Sequence, residues 1–255
     1  MTKGFTVIGD THGNHKLIAH RIKSLKLENE ILLHVGDFGV GFAKSEHEDI
    51  EKMAYLNKTL KKFNSHCYVI RGNHDNPTFF QGNHNYSNLH LIPDYSVIEV
   101  NGEKVLMVGG AISVDRQPRK DDMRKWAIKG SDYATYWYDE GFVLDKEKLE
   151  AMTNIDYVIT HSSPKFVFPI NDFSNIVDSH GPFVQRFAWN DYSLKDDLNK
   201  ERIELAEMYD ILIKNNSIKK WFYGHFHTSK EELVGETNFV LLNCDEFYNV
   251  IQKTT

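Results

Sequence analysis

Cysteine, proline and long apolar runs are scarce in this chain, and each scarcity removes a class of protein. Two of the 255 residues are cysteine. Cys67 and Cys244 fall in separate strand-like runs with no C-x-x-C pair, so neither a disulfide framework nor a thiolate zinc site is supported. Any bound metal is expected on His, Asp, Glu or Asn. Six Pro and 16 Gly leave no room for collagen-like or low-complexity architecture. No apolar run approaches the ~20 residues that a membrane-spanning helix needs, so no membrane partner is expected. Basic residues are also short: 30 Lys and Arg against 36 Asp and Glu give a net charge of -6. That balance lacks the overall basic excess of a dedicated polyanion binder, which disfavours nucleic acid as a partner. A strand pattern begins at Phe5 with no apolar leader before it, and the expected setting is cytoplasmic.

Histidine, by contrast, is abundant, at 13 residues. It is the side chain that most often ligates metals and moves protons near neutral pH, so its distribution is the feature to follow. Hydrophobic residues at 41% and charged residues at 26% describe an ordinary globular chain. The length fits one α/β domain.

Short β-branched runs alternate with helical stripes over the first 110 residues. Phe5–Ile8, Ile31–Val35 and Cys67–Ile70 read as buried strands. Leu17, Ile18, Ile22 and Leu25 mark one helix, and Met53, Leu56, Leu60 and Phe63 another. Such alternation predicts a largely parallel sheet covered by helices. Asn101-Gly102 between two apolar runs predicts a hairpin. Further strands are expected at Tyr157–Thr160 and Lys220–Tyr223, a helix over Arg202–Lys214, and a terminal hairpin using Glu232–Val234 and Phe239–Leu242. Residues 113–144 and 162–199 are polar and aromatic with weak periodicity, and read as insertions in a single domain spanning 1–255.

Five short motifs follow the strand candidates. They are Gly9-Asp10-Thr11-His12-Gly13, Gly36-Asp37, Gly72-Asn73-His74-Asp75, Thr160-His161 and Gly224-His225-Phe226-His227. Ligands bind at the carboxyl ends of strands in open α/β sheets, so all five loops are expected at one cleft. Carboxylates, an amide oxygen and imidazoles suit Mn, Fe, Zn or Ni. Seven donors exceed one ordinary centre and suit two metals with a bridging carboxylate. Glycines beside them permit close backbone approach.

In this order, from Asp10 to His227, the motifs resemble those of the calcineurin-like metallophosphoesterases, in bacterial or phage-type form. The resemblance covers nearly the whole chain. It implies an α/β, four-layer sandwich of two mixed β-sheets flanked by helices, with the metal site at strand carboxyl ends. It implies hydrolysis of phosphate esters at a dinuclear centre by in-line attack of a metal-bridging hydroxide. Matched motif by motif, Asp10, His12 and His227 hold the first metal, Asn73, His161 and His225 the second, and Asp37 bridges. His74 is the implied general acid or charge stabiliser beside the leaving group, while Asp75 has no assigned role.

The second motif departs from the serine/threonine protein phosphatases of this superfamily. It reads Gly36-Asp37-Phe38-Gly39-Val40-Gly41 and lacks their G-D-x-V-D-R-G extension, so the usual phosphate-binding Arg is missing from this loop. Arg71 matches an R-G-N-H pattern, and Arg116 or Arg119 is the expected bidentate phosphate donor in its place. His34 is expected as a buried, hydrogen-bonded core residue, and His15, His20, His47, His66, His84, His90 and His180 as background. Most aromatics of the insertions are expected to pack, with one or two lining the pocket. Two other functions fit the fold: a nuclease or cyclic-nucleotide phosphodiesterase, and a scaffold without catalysis. The scaffold is disfavoured because all seven donors and His74 are in place.

Overall fold

A computed structural model of the chain describes residues 4–42, 45–82, 84, 86–169 and 182–251. Five strands, β1 (Gly4–Ile8), β2 (Ile31–His34), β3 (His66–Val69), β4 (Leu89–Leu91) and β11 (Phe247–Ile251), form one sheet in the order β11-β1-β2-β3-β4. Within it β1 to β4 are parallel, and β11 runs antiparallel along β1. The second sheet has the order β5-β6-β7-β8-β10-β9. It comprises β5 (Ser96–Val100), β6 (Glu103–Val108), β7 (Tyr157–Thr160), β8 (Lys220–Tyr223), β9 (Lys230–Val234) and β10 (Thr237–Leu241). Here β6, β7, β8 and β10 are parallel, and an antiparallel strand closes each edge. Both sheets are therefore mixed.

Side-chain alternation along the strands builds the layers. In β6, Val105 and Met107 point between the sheets, while Leu106 and Val108 point outward. In β8, Phe222 points between the sheets, and Trp221 and Tyr223 face outward. Phe5, Val7, Leu33 and Ile159 complete the central layer. A fully buried side chain of this size contributes about 1.5–3 kcal/mol, so this layer is what fixes the two sheets face to face.

Helices α1 (His15–Leu25) and α2 (Glu46–Lys62) cover the outer face of the first sheet. Ile18, Ala19 and Ile22 form the buried stripe of α1, and Met53, Leu56 and Leu60 that of α2. Ser45 caps α2 by accepting from the Glu48 amide, and Glu46, Glu48 and Asp49 complement the dipole of its first turn. The outer face of the second sheet is covered by α4 (Lys146–Glu150) and α6 (Leu194–Leu212), through Leu149, Leu205, Met208 and Leu212. The order helix, sheet, sheet, helix is the expected four-layer sandwich.

The Asn101-Gly102 turn joins β5 to β6 with φ of 53° and 86°, as a two-residue hairpin requires. Strands β4 and β11 were not expected, being short or interrupted by polar residues. Inside the first insertion lies α3 (Arg116–Ile128), whose buried residues are Arg116 and Arg119 rather than an apolar stripe. Helix α6 begins at Leu194, eight residues before the expected start, because the polar turns around Lys195 to Lys200 still bury Leu194 and Leu198. The second insertion also contributes α5 (Pro182–Ala188). His180 and Phe173 lie outside the described residues. Among the described residues, no helix is long and apolar enough to cross a membrane.

Candidate dinuclear metal centre

The parallel strands β1, β2, β3, β7 and β8 present their carboxyl ends at one edge, and the five motif loops meet there. Backbone bonds join the loops before any side chain is considered. The amides of Thr11 and His12 donate to the Asp37 carbonyl at 3.1 and 2.8 Å. The Gly224 amide donates to the His161 carbonyl at 3.1 Å. Four motif residues adopt left-handed backbone conformations: His12 (φ 45°), Asp37 (52°), His225 (69°) and His227 (50°). Such conformations cost about 1 kcal/mol or more each for non-glycine residues and gather at functional loops. Two glycines make the close approach physically possible. A Cβ on Gly72 would lie 2.1 Å from Asp37 Oδ1, and one on Gly224 would lie 2.0 Å from Asp10 Oδ1.

The donors form two groups that share Asp37. In one, Asp10, His12, Asp37 and His227 each offer an atom within 4.8 Å of the others; in the second, Asp37, His161 and His225 do the same. His161 Nε2 lies 3.2 Å from Asp37 Oδ1 and 3.1 Å from Asn73 Oδ1, which places Asn73 in the second group. The Nε2 atoms of His12 and His227 face one another at 3.1 Å.

The site's charge also fits cations. Asp10 and Asp37 are buried, and Asp10 Oδ1 has no hydrogen-bond partner among the described residues. A buried carboxylate oxygen left so is costly unless a cation takes it. Burial alone would raise the Asp37 pKa, but His161, His74 and His12 hold it well below the ordinary range. Burial would likewise lower His161, yet Asp37 and Asp10 lift it to about 9. Hydrogen bonds to Asp10 and Cys244 lift His227 to about 10. The carboxylates thus draw protons onto the imidazoles, and bound metals would displace those protons. The residues fit two metal ions.

A family model described as calcineurin-like phosphoesterase matches residues 4–229. The chain belongs to that family. A search of curated proteins gives no match. Among solved structures, a dimetal phosphatase from Danio rerio superposes with a TM-score of 0.53 at 12% identity, over 95% of this chain and 88% of that one. At that identity the likeness speaks to the fold. A phosphopantetheinyl hydrolase from Mycobacterium tuberculosis (TM-score 0.48, 12% identity, 99% and 98% covered) and an archaeal phosphodiesterase (0.40, 12%, 98% and 99%) are more distant in shape.

In this calcineurin-like phosphoesterase the three arginines singled out from the sequence go to different places. Arg71 is buried, and its guanidinium donates to Asp94 and to the carbonyls of Asp139, Glu140 and Gly141. It ties the third loop to residues 139–141 and does not line the cleft over the candidate donors. Arg116 donates to Asp191, Ser193 and Asp197, fastening α3 to the start of α6. Of the three, only Arg119 reaches the site, where it donates to His74 Nε2 and pairs with Asp115 at 2.8 Å. Burial, with help from Arg119 and His12, lowers His74 to about 4 against the opposing pull of Asp37. His74 is thus neutral, with Nε2 accepting, and stacks on Phe42.

A cleft of about 550 Å³ opens over the donors. Asp37, Asn73, His74, His225 and His227 form its floor, Asp115 and Arg119 one wall, and Val114, Phe187 and Phe226 an apolar side. Of the insertion aromatics, Phe187 lines the cleft, whereas Phe166 packs in the core.

Other residues matter that the motifs did not reveal. Asn73 Nδ2 donates to Ser113 Oγ at 3.0 Å, and Ser113 donates to buried Glu140 through both Oγ and its amide, each at 2.7 Å. This chain leaves Asn73 Oδ1 facing the metal donors. His161 Nδ1 donates to the Val35 carbonyl at 2.9 Å, which frees Nε2 for a metal. Asp75 accepts from the amides of Phe38, Gly39, Val40 and Gly72, so it pins the Asp37 loop to its own. Cys244, set aside in the sequence, lies beside the candidate donors. Its thiol joins His12 and His227 in a third group within 4.8 Å. A strand-end rule applied to Leu242-Asn243-Cys244 would have flagged it.

Proposed function

We propose that this protein hydrolyses phosphate esters with two bound metal ions, acting as a phosphomonoesterase on a protein or small-molecule substrate. The observation that carries the reading is Asp37, one buried carboxylate shared by two groups of donors. Asp10, His12 and His227 would hold one ion, Asn73, His161 and His225 the other, with Asp37 between them. When bound, the pair would supply Lewis-acid activation of water and of the phosphoryl group.

The chain's own residues supply the rest. Arg119 offers a planar donor to a phosphoryl oxygen at the mouth of the cleft. Phosphate oxygens compete for its N–H groups, which releases His74 Nε2. A dianionic phosphate beside it then favours the protonated ring, and His74 delivers that proton to the leaving oxygen. Val114, Phe187 and Phe226 shield the ester group from water and favour an apolar or aromatic substituent. That same wall accommodates a second ester arm, so a phosphodiesterase is the alternative reading.

The test is metal analysis together with assays on an aryl phosphate and an aryl phosphodiester, with Mn, Fe, Zn and Ni supplied in turn. Two ions per chain, and loss of turnover in Asp37→Ala and His161→Ala, are expected. A chain that takes up no metal and releases no phosphate would falsify the reading. Faster release from the diester selects the alternative.

A further inference from the structure

Cys244 lies in the turn between β10 and β11, and that turn is zipped to the loop carrying Asp10. The Asp245 amide donates to the Asp10 carbonyl at 2.8 Å, and the Gly9 amide donates to the Glu246 carbonyl at 2.9 Å. The approach is as close as backbones come: a Cβ on Gly9 would lie 2.0 Å from the Asn243 carbonyl oxygen. The Cys244 amide is anchored on Asn243 Oδ1 at 2.8 Å. One stretch of backbone therefore fixes the thiol and the Asp10 carboxylate relative to each other.

The thiol sulfur and one ring nitrogen each of His12 and His227 lie within 4.8 Å of one another. Those two imidazoles belong also to the group containing Asp10, whose Oδ1 is fully buried and without a hydrogen-bond partner among the described residues. Cys244 thus stands beside two imidazoles that also belong to the group with the unsatisfied carboxylate oxygen. The other group, with Asp37, His161 and His225, contains no sulfur.

We propose that the Cys244 sulfur is a direct ligand of the metal held by Asp10, His12 and His227. The inference rests on the two-metal reading above and makes its two positions chemically unequal. On binding, the thiol gives its proton to solvent and a metal–sulfur bond forms; no electron is transferred. A nitrogen, oxygen and sulfur donor set favours Zn²⁺ or another borderline ion over Mn²⁺ or Mg²⁺. The second position, with amide oxygen, carboxylate and imidazole, keeps no such preference. The two positions then differ in selectivity, with the softer ion favoured on the Asp10 side.

Cobalt substitution tests this. Metal-free protein is loaded with Co²⁺, and the visible ligand-field bands and the near-ultraviolet thiolate-to-cobalt charge-transfer band are recorded. Both are expected in the parent protein. Cys244→Ser is expected to keep the ligand-field bands and lose the charge-transfer band. Cys67→Ala is expected to keep both, since Cys67 is fully buried in the core under α1 and α2. Zn²⁺ affinity at one site is expected to fall at least about tenfold in Cys244→Ser, with little change for Mn²⁺. In the parent protein, Zn²⁺ is expected to protect the Cys244 thiol from a disulfide reagent. Ligand-field bands without charge transfer overturn the sulfur ligand and leave the two-metal reading standing. Absence of both bands overturns the two together.

Discussion

The Oδ1 atom of Asp75 lies 2.7 Å from the Gly39 amide nitrogen, although 36 residues separate them. The same carboxylate accepts from Phe38, Val40 and Gly72. Four converging amide donors require an acceptor at every approach, and only a carboxylate offers that. Asp75→Asn turns an NH₂ toward some of them. It is expected to cost about 3 kcal/mol or more of stability and to loosen the Asp37 loop. Urea unfolding followed by circular dichroism checks this; an unchanged midpoint would remove Asp75 from its role as the loop's clasp.

Asn73 owes its orientation to Ser113 and Glu140. Ser113→Ala removes the acceptor of Asn73 Nδ2 and allows the amide to turn. Affinity for one of the two metals is expected to fall about 10- to 100-fold. Calorimetric titration of metal into the stripped variant measures it, and two unchanged binding steps would contradict the arrangement.

Gly224 presents the reverse situation, an atom too many. The Cβ of Gly224→Ala would meet Asp10 Oδ1 at 2.0 Å, and Asp10 sits too deep to yield. Metal content is expected to drop from two ions toward one, with the loss on the Asp10 side. Retention of two tightly bound ions would show that the carboxylate moves freely.

The arginines separate by position. Arg119→Ala is expected to lower kcat/KM for a phosphoester about 100-fold, because it removes the donor beside His74. Arg116→Ala is expected to spare turnover and to lower stability by about 1 to 3 kcal/mol through lost bonds to Asp191 and Asp197. Steady-state kinetics and thermal melts on the pair decide it, and an inverted pattern would reassign both.

Acid should weaken the fold in a defined window. Burial lowers His15 to about 4 and His34 to about 3, from an ordinary 6.5. The unfolded chain takes up these protons near pH 6.5, whereas the folded chain refuses them until pH 4 or below. Their contribution is therefore fully present above pH 6.5 and is lost as pH falls toward the folded values. His15→Gln is expected to reduce the slope of stability against pH between 6 and 4 by about one proton. Ring resonances of both histidines should show no titration above pH 5 in the folded protein.

Much of this was legible in sequence because strand ends and candidate metal donors coincide. Asp10, Asp37, Asn73, His161 and His225 each follow a short apolar run that cannot be anything but buried, and parallel topology sends them to one edge. His34 was legible for the same reason: it lies inside a strand, and Thr11 Oγ1 and the Gly36 amide satisfy its ring. Partners set by tertiary contact were not legible. Nothing local tells Arg119 from Arg116, since both are buried on α3 and only the fold decides which meets His74. Asp75 looks like a motif letter until the Asp37 loop is laid against it. Cys244 was set aside for want of a C-x-x-C pair, whereas its place after β10 sets it beside His12 and His227. Helix α3 has a charged sequence and owes its burial to ion pairs, which hydrophobic periodicity does not register.

The pairing of β11 with β1 joins Gly4 to Ile251, nearly the two extremes of the described chain. It also carries the turn that abuts Asp10. The surroundings of Asp10 and His12 therefore depend on a strand more than two hundred residues away. Contacts of such separation form slowly. Until β11 pairs with β1, the turn carrying Cys244 is not held against Asp10, so the proposed sulfur-bearing position is completed only by that long-range pairing.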